Sequence, residues 1–172
     1  MRKYIIGLLL SFVVCLPGTA LALSIVAAGK PAAALVVAAE APPMVRYAAD
    51  EFRQYLERSS GAALPVVTSA AEVPPGLLRI YIGGSPETGA LGLSVRELGY
   101  DGFKIASGPD WLALVGRDSE PCYGVSHPLR IQDSYNSKLK LSRFGETGTL
   151  FAVYYFLEQH CGMRWFMPGA LG

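Results

Sequence analysis

Apolar residues recur every three or four positions in two stretches of the chain, which predicts two amphipathic helices. The first covers residues 44–59, where charged side chains occupy the opposite face. Pro43 suits the first turn of this helix and Gly61 suits its end, because proline lacks the N–H that a first turn leaves unpaired and glycine tolerates a left-handed backbone. The pattern therefore predicts a helix with one face in the core and one in water.

The second predicted helix begins near Leu150 and reaches Cys161, with Thr147 or Thr149 as its N-cap and Gly162 as its stop. Its apolar stripe runs through Leu150, Val153, Tyr154, Leu157 and Cys161. Phe151 and Tyr155 add a second apolar ridge on an adjacent face. We therefore expect this helix to contact a sheet on one side and a different surface on the other.

Short apolar runs predict the strands. Residues 34–38, 64–68 and 78–82 have strand length and strand composition. Residues 103–106 and 111–115 flank the turn-forming sequence Ser-Gly-Pro-Asp, which predicts an antiparallel hairpin.

Two intervals show no sustained period. Residues 91–98 are interpreted as one or two helical turns. Residues 116–145 resemble a loop of about thirty residues, which is long for a connection in a compact domain. A loop of this length is functional, mobile, or contains elements that the pattern does not reveal.

The first residues resemble a secretory signal peptide. Arg2 and Lys3 precede an apolar run over residues 4–16, and small residues precede a cleavage site after Ala22. The run is shorter than the roughly 20 residues that span a bilayer. Cys15 lacks the small preceding residue of a lipoprotein signal, so lipidation is disfavoured.

We therefore predict a signal peptide at residues 1–22 and one exported domain at residues 23–172, periplasmic or extracellular. Loss of Arg2 and Lys3 with the signal changes the formal net charge from +1 to −1. The remaining basic cluster, around Lys138 and Arg143, is interpreted as a solvated loop, so nucleic acid is not an expected partner. No later stretch predicts a membrane span.

The reactive residue types in the sequence are not arranged in a pattern that predicts a catalytic centre. The chain has no Gly-Xaa-Ser-Xaa-Gly nucleophile motif, and its acids show no pairing of the kind that glycoside hydrolysis needs. The segment YIGGSPETG lacks the lysine of a phosphate loop. His127 and His160 are interpreted as structural or surface residues. We therefore predict no catalytic, cofactor-binding or metal-binding residue.

Cys122 and Cys161 remain after signal cleavage, in a compartment that permits disulfides. They are a possible disulfide pair. The alternative is that Cys161, which lies on the apolar stripe of the last helix, is a small buried hydrophobic residue.

Five segments in order resemble the N-terminal domain of alpha-glucuronidase-like proteins, which is related to the small domain that precedes the barrel in beta-N-acetylhexosaminidases. The segments are YAADEFRQYLERSSGAALPVV, IYIGGS, LGYDGFKI, WLALVGRD and GTLFAVYYFLEQHCGMRWFMPG. They extend over nearly the whole predicted mature chain, and the last is the most distinctive.

This resemblance implies an α/β (α+β) fold of the domain-2 type, a single mixed β-sheet with two main helices packed on it. It also implies a non-catalytic accessory module in front of a catalytic barrel that this sequence does not contain. Arg164, Trp165 and Phe166 are then the expected interdomain contact, Gly148 lets the last helix approach a neighbour closely, and Glu158 faces solvent or that contact. Residues 118–144 are longer than the family's link and are predicted to be an insertion.

Two other functions stay open on the sequence alone. A free-standing carbohydrate-binding or protein-interaction module would use exposed aromatic residues such as Tyr123, Tyr135 and Trp165. A small complete hydrolase is disfavoured because no nucleophile, base or metal cluster converges in the sequence.

Overall fold

The computed structural model describes residues 23–118, 135–136, 141–142 and 145–166. Its helices are α1 (Pro43–Ser60), α2 (Pro86–Ala90) and α3 (Gly148–Cys161), with a single 3₁₀ turn at Ala70–Glu72. Its strands are β1 (Val26–Ala27), β2 (Lys30–Pro31), β3 (Ala33–Val36), β4 (Val66–Val67), β5 (Leu78–Ile82), β6 (Phe103–Ser107), β7 (Trp111–Gly116), β8 (Tyr135–Asn136) and β9 (Leu141–Ser142).

Five strands form one mixed sheet in the order β4-β3-β5-β7-β6. Strands β4, β3, β5 and β7 run parallel, whereas β6 is antiparallel to β7. The pairs β1-β2 and β8-β9 are separate two-stranded antiparallel ribbons. The prediction of an α/β fold with a mixed sheet and two main helices is therefore confirmed, and the predicted hairpin is the antiparallel pair β6-β7.

Helices α1 and α3 pack on the same face of the sheet. Leu35, Ile80 and Leu114 come from three adjacent strands and are fully buried beneath the helices. Phe52 of α1 meets Phe156 of α3 with ring centroids 5.9 Å apart. Because each buried large apolar side chain contributes roughly 1.5–3 kcal/mol, this layer forms the main core. Among the described helices, none has both the length and the apolar character needed to cross a membrane.

The opposite face of the sheet is covered by connecting segments. Val36, Tyr81 and Val115 are buried there against partly buried residues that include Val73 and Val95. Burial on both faces explains why the parallel strands read as continuous apolar runs in the sequence, without the alternation of a half-exposed strand.

The prediction of α1 is confirmed, including its ends. Pro43 occupies the first turn, and the helix stops at Gly61, whose φ of 73° is left-handed. Strand β4 is shorter than predicted and lies at the edge of the sheet, where the preceding Pro65 is tolerated.

The prediction of helical turns at residues 91–98 is wrong, because the helix lies earlier, at α2. Ser85 and Thr88 form a capping box, in which the Thr88 N–H donates to Ser85 Oγ at 3.1 Å and the Ser85 N–H donates to Thr88 Oγ1 at 2.8 Å. Pro86 fits the first turn of α2. The segment YIGGSPETG, which resembles a phosphate loop only superficially, thus contains the start of a helix that was not predicted.

The interval predicted to be an irregular loop contains the short ribbon β8-β9. Two-residue strands leave too weak a periodicity for sequence reasoning to detect. Most of this interval, including Cys122, Tyr123 and His127, lies outside the described residues. The proposed insertion at residues 118–144 therefore stays a prediction.

Candidate functional site

The outer side of α3 carries exposed aromatic side chains. Phe151 is 45% exposed, Tyr155 is 49% exposed, and Phe166, just beyond the helix, is 80% exposed. We use the name aromatic groove for the depression of about 530 Å³ beside them. It is lined by Tyr55, Phe103, Phe151, Tyr154, Tyr155, Glu158 and Trp165.

Trp165 forms one wall of the aromatic groove and is held by edge-to-face contacts. Its ring lies 5.6 Å from that of Tyr55 on α1 and 5.1 Å from that of Tyr154 on α3. Tyr155 meets Phe103 of β6 at 5.7 Å. Such pairs add about 0.5–1.5 kcal/mol beyond the area they bury, so the groove has fixed walls. Trp165 remains 36% exposed despite these contacts.

Tyr154, which lines the aromatic groove, forms a part-buried hydrogen bond between the two helices. The Tyr154 hydroxyl donates to Glu51 Oε2 at 2.8 Å. Burial, followed by the hydrogen bond to the Glu51 carboxylate, raises the pKa of Tyr154 well above its usual range. The phenol therefore stays protonated and acts as a hydrogen-bond donor at every physiological pH.

Arg164 contacts the end of α3. Its guanidinium donates to the carbonyl oxygens of Glu158 at 2.9 Å and of Met163 at 2.8 Å. A cation at this position satisfies a free carbonyl of the last helical turn and opposes the negative end of the helix dipole. The structure thus places Arg164 against the helix terminus, whereas Trp165 and Phe166 present their rings outward.

The other end of α3 is pressed against the sheet through two glycines. A Cβ on Gly116 would lie 2.0 Å from the carbonyl carbon of Gly148, and a Cβ on Gly148 would lie 2.4 Å from the carbonyl oxygen of Gly102. Real Cβ contacts are not this short, so the close approach requires glycine at both positions. The prediction that Gly148 allows close packing is confirmed, and its neighbours are β7 and the turn before β6.

Carboxylates complete this attachment, which we call the α3 clamp. Asp118 accepts hydrogen bonds from the Thr149 N–H at 3.0 Å and from the Thr149 hydroxyl at 2.5 Å. Asp101 accepts a hydrogen bond from the Thr147 N–H at 2.6 Å. These acceptors satisfy N–H groups that the first turn of a helix leaves unpaired. The predicted cap Thr147 precedes α3 but makes no side-chain capping bond, so the caps come from outside the helix.

The surroundings of Asp118 have opposing effects on the pKa of its carboxyl group. Burial raises the pKa of the Asp118 carboxyl, whereas its bonds from Thr149 lower it, and the nearby carboxylates of Asp101 and Glu146 raise it further. Arg117 pairs with Glu146 at 2.9 Å and relieves part of this acidic concentration. The role of Asp101 was not predicted, because it depends on a contact between residues 46 positions apart in the chain.

The structure brings one predicted contact residue, Trp165, together with Phe151 and Tyr155, whose ridge on α3 the helical period had indicated. Tyr55 and Phe103, which line the same groove, were not predicted to belong to a site. Trp111 of β7 lies on the opposite face of the sheet and is partly buried there. The identity of the partner that the three predicted contact residues meet stays a prediction.

The thiol of Cys161 is half-buried, and burial raises its pKa. The possible Cys122–Cys161 disulfide stays a prediction because Cys122 lies outside the described residues. The His160 ring lies 4.9 Å from that of Phe156 at the end of α3. Within the described ranges, no group of three or more His, Cys, Asp and Glu residues is arranged to hold a metal ion.

Comparisons with protein-family models, with curated proteins and with solved structures find no match to this chain. The resemblance to the alpha-glucuronidase-like accessory domain consequently depends on the five sequence segments alone.

Proposed function

We propose that this chain is the non-catalytic N-terminal module of an exported glycoside hydrolase-like protein acting in polysaccharide metabolism. In this proposal the aromatic groove and Phe166 contact a C-terminal barrel domain, which carries the catalytic acids. The proposal is supported by the order of the five sequence segments and by the position of the Arg-Trp-Phe segment on the surface.

The observation that carries the proposal is the exposure of four large aromatic residues on α3 and in the segment directly after it, three of which line the aromatic groove. These residues are Phe151, Tyr155, Trp165 and Phe166. Exposed apolar residues are ordinary when scattered, but a contiguous group with a polar rim is typical of an interaction surface. Aromatic side chains are also enriched in the buried centres of interfaces. A covering domain would remove these rings from water.

The test begins with the source gene beyond the codon for Gly172. We expect an open reading frame that encodes a barrel of glycoside hydrolase type. The extended protein is then compared with the present chain by iodide quenching of Trp165 fluorescence, in a Trp111→Phe background that leaves one tryptophan. We expect Trp165 to be strongly quenched in the short chain and shielded in the extended protein. A stop codon directly after Gly172, or equal quenching in both proteins, would overturn the proposal.

A second function is favoured by the shape of the aromatic groove. Tyr155 and Trp165 offer rings for stacking against the apolar face of a sugar, and Glu158 offers a hydrogen-bond acceptor at the same depression. The alternative is therefore a free-standing carbohydrate-binding module. Retention of the purified chain on insoluble polysaccharides, lost in Tyr155→Ala, would favour this function over an interdomain contact. Absence of retention on plant and microbial glycans would exclude it.

A further inference from the structure

A second depression lies at the carboxyl ends of β5 and β7 and is lined in part by Gly116 and Asp118 of the α3 clamp. We call it the strand-end crevice. Its volume is about 500 Å³, which is within the range of small-molecule sites. It is lined by Pro42, Val45, Gly84, Ser85, Thr88, Gly89, Leu93, Ser94, Val95, Arg96, Gly116 and Asp118.

The topology of the sheet places this crevice where open α/β sheets bind ligands. The chain leaves β3 through α1 and reaches β4 on one side, then returns to β5 on the other side of β3. The connections that follow β3 and β5 therefore diverge, and a cleft opens between them at the carboxyl ends of the strands. Pro42 lies after β3, and Gly84 lies after β5, so the crevice is bounded by both diverging connections.

Glycines keep the crevice open. A Cβ on Gly89 would meet no atom within 4 Å, and a Cβ on Gly84 would make only an ordinary contact of 3.7 Å with Val95. Gly83, in contrast, has a φ of 82° and would place a Cβ 2.5 Å from Val45. The chain is thus packed tightly against α1 at Gly83, whereas the residues that the structure describes leave space beside Gly84 and Gly89.

The crevice has one carboxylate and one guanidinium. Asp118 is held in place by its two hydrogen bonds from Thr149, and a carboxylate has further lone pairs that remain for a ligand. Arg96 is exposed at the border of the crevice. Among the described residues no hydrogen bond or ion pair is found for its guanidinium, so its donors are available to a planar anion such as a carboxylate.

We propose that the strand-end crevice binds a small organic acid that also carries hydroxyl or ammonium groups, with the acid on Arg96 and the donors on Asp118. A ligand with two negative charges would be repelled by Asp118, and a neutral polyol would leave Arg96 without a counter-charge. Val45, Leu93 and Val95 provide an apolar wall for the carbon skeleton. This proposal is independent of the proposed function and of the aromatic groove.

The test uses the purified ¹⁵N-labelled protein titrated with L-serine and with L-lactate. We expect saturable amide shifts at Gly84, Gly89 and Gly116, and smaller shifts with acetate, which lacks a second donor, or with glucose, which lacks a carboxylate. Arg96→Ala should weaken binding by about tenfold, because a bidentate charged hydrogen bond is lost. The matched control is Arg58→Ala. Arg58 is in the last turn of α1 and does not line the crevice, so this variant should leave the affinity unchanged.

A blocking variant separates loss of binding from loss of folding. Gly89→Leu places a side chain in open space, so we expect a native amide spectrum with the shifts on titration abolished. The proposal is overturned if neither acid produces saturable shifts in the wild type, if acetate or glucose binds equally well, or if Arg96→Ala and Gly89→Leu bind like the wild type.

Discussion

Helices α1 and α3 lie side by side on one face of the sheet, yet they differ in what their other faces present. The buried face of α1 consists of Val45, Ala48, Ala49, Phe52 and Leu56, and charged residues cover its outer face. Helix α3 also buries one face, through Ala152, Val153, Phe156 and Leu157. Its outer face is aromatic, with Phe151 and Tyr155 about half exposed.

This difference shows that the sheet and α3 together account for the buried face of α1, whereas the buried core accounts for only part of the apolar pattern of α3. Water is the expected environment of the outer face of α1. The outer face of α3 has the composition of a second contact surface, and the described residues leave about half of Phe151 and Tyr155 uncovered. The variants below separate the face of α3 that stabilises the fold from the face that is available to a partner.

The largest effect is expected at the α3 clamp. Gly116→Val forces a side chain into the backbone of Gly148, which cannot rotate away, so α3 must leave the sheet. We expect a loss of about 4 kcal/mol in the free energy of unfolding, measured by urea denaturation. Gly99→Ala is the matched control, because its Cβ meets nothing within 4 Å, and it should change stability by less than about 0.5 kcal/mol. Equal midpoints for the two variants would contradict the close contact.

The next effect compares the two faces of α3 directly. Leu157 is fully buried, so Leu157→Ala should cost about 3 kcal/mol through lost burial and the cavity it leaves. Tyr155 is 49% exposed, so Tyr155→Ala should cost about 1 kcal/mol or less. Both are measured by chemical denaturation. If Tyr155→Ala cost as much as Leu157→Ala, the outer face would be part of the core and the partner surface would be excluded.

A smaller effect concerns pH. Because burial raises the pKa of Asp118, the folded state binds its proton more tightly than the unfolded state. Stability from this group is therefore lost as pH rises from the ordinary aspartate value of about 4 through the raised folded pKa. Asp118→Asn keeps an acceptor for the Thr149 N–H but cannot ionise. We expect urea midpoints between pH 4 and 7 to decline less in this variant than in the wild type, and an unchanged pH profile would contradict the assignment.

The elements that could be predicted from the sequence are those whose determining interactions are local. The ends of α1 follow from Pro43 and Gly61, and the β6-β7 hairpin follows from its turn residues. Helix α2 was not predicted, although Ser85, Pro86 and Thr88 carry a local start signal, because its five residues are too few to show a helical period.

The α3 clamp and the strand-end crevice were not predictable in this way. Asp118 and Thr149 are 31 positions apart, and Asp101 and Thr147 are 46 apart. Their pairing depends on the order of strands in the sheet, which periodicity does not determine. Part of the aromatic groove was predicted. The helical period indicated the ridge of Phe151 and Tyr155, but it did not indicate that Tyr55 of α1 lines the same groove.

The smallest effect on stability, and the largest on self-association, is expected at Phe166. Phe166 is 80% exposed, so Phe166→Ala should change the free energy of unfolding by less than about 0.5 kcal/mol. It removes apolar surface, so the variant should bind less of the dye ANS and scatter less light at high concentration than the wild type. Trp165→Ala is the comparison: it also exposes the edges of Tyr55 and Tyr154, so its loss of stability should be larger and its gain in solubility smaller. Identical dye binding by wild type and Phe166→Ala would show that this ring is not part of an apolar surface, and the outer face of α3 would then end at Tyr155.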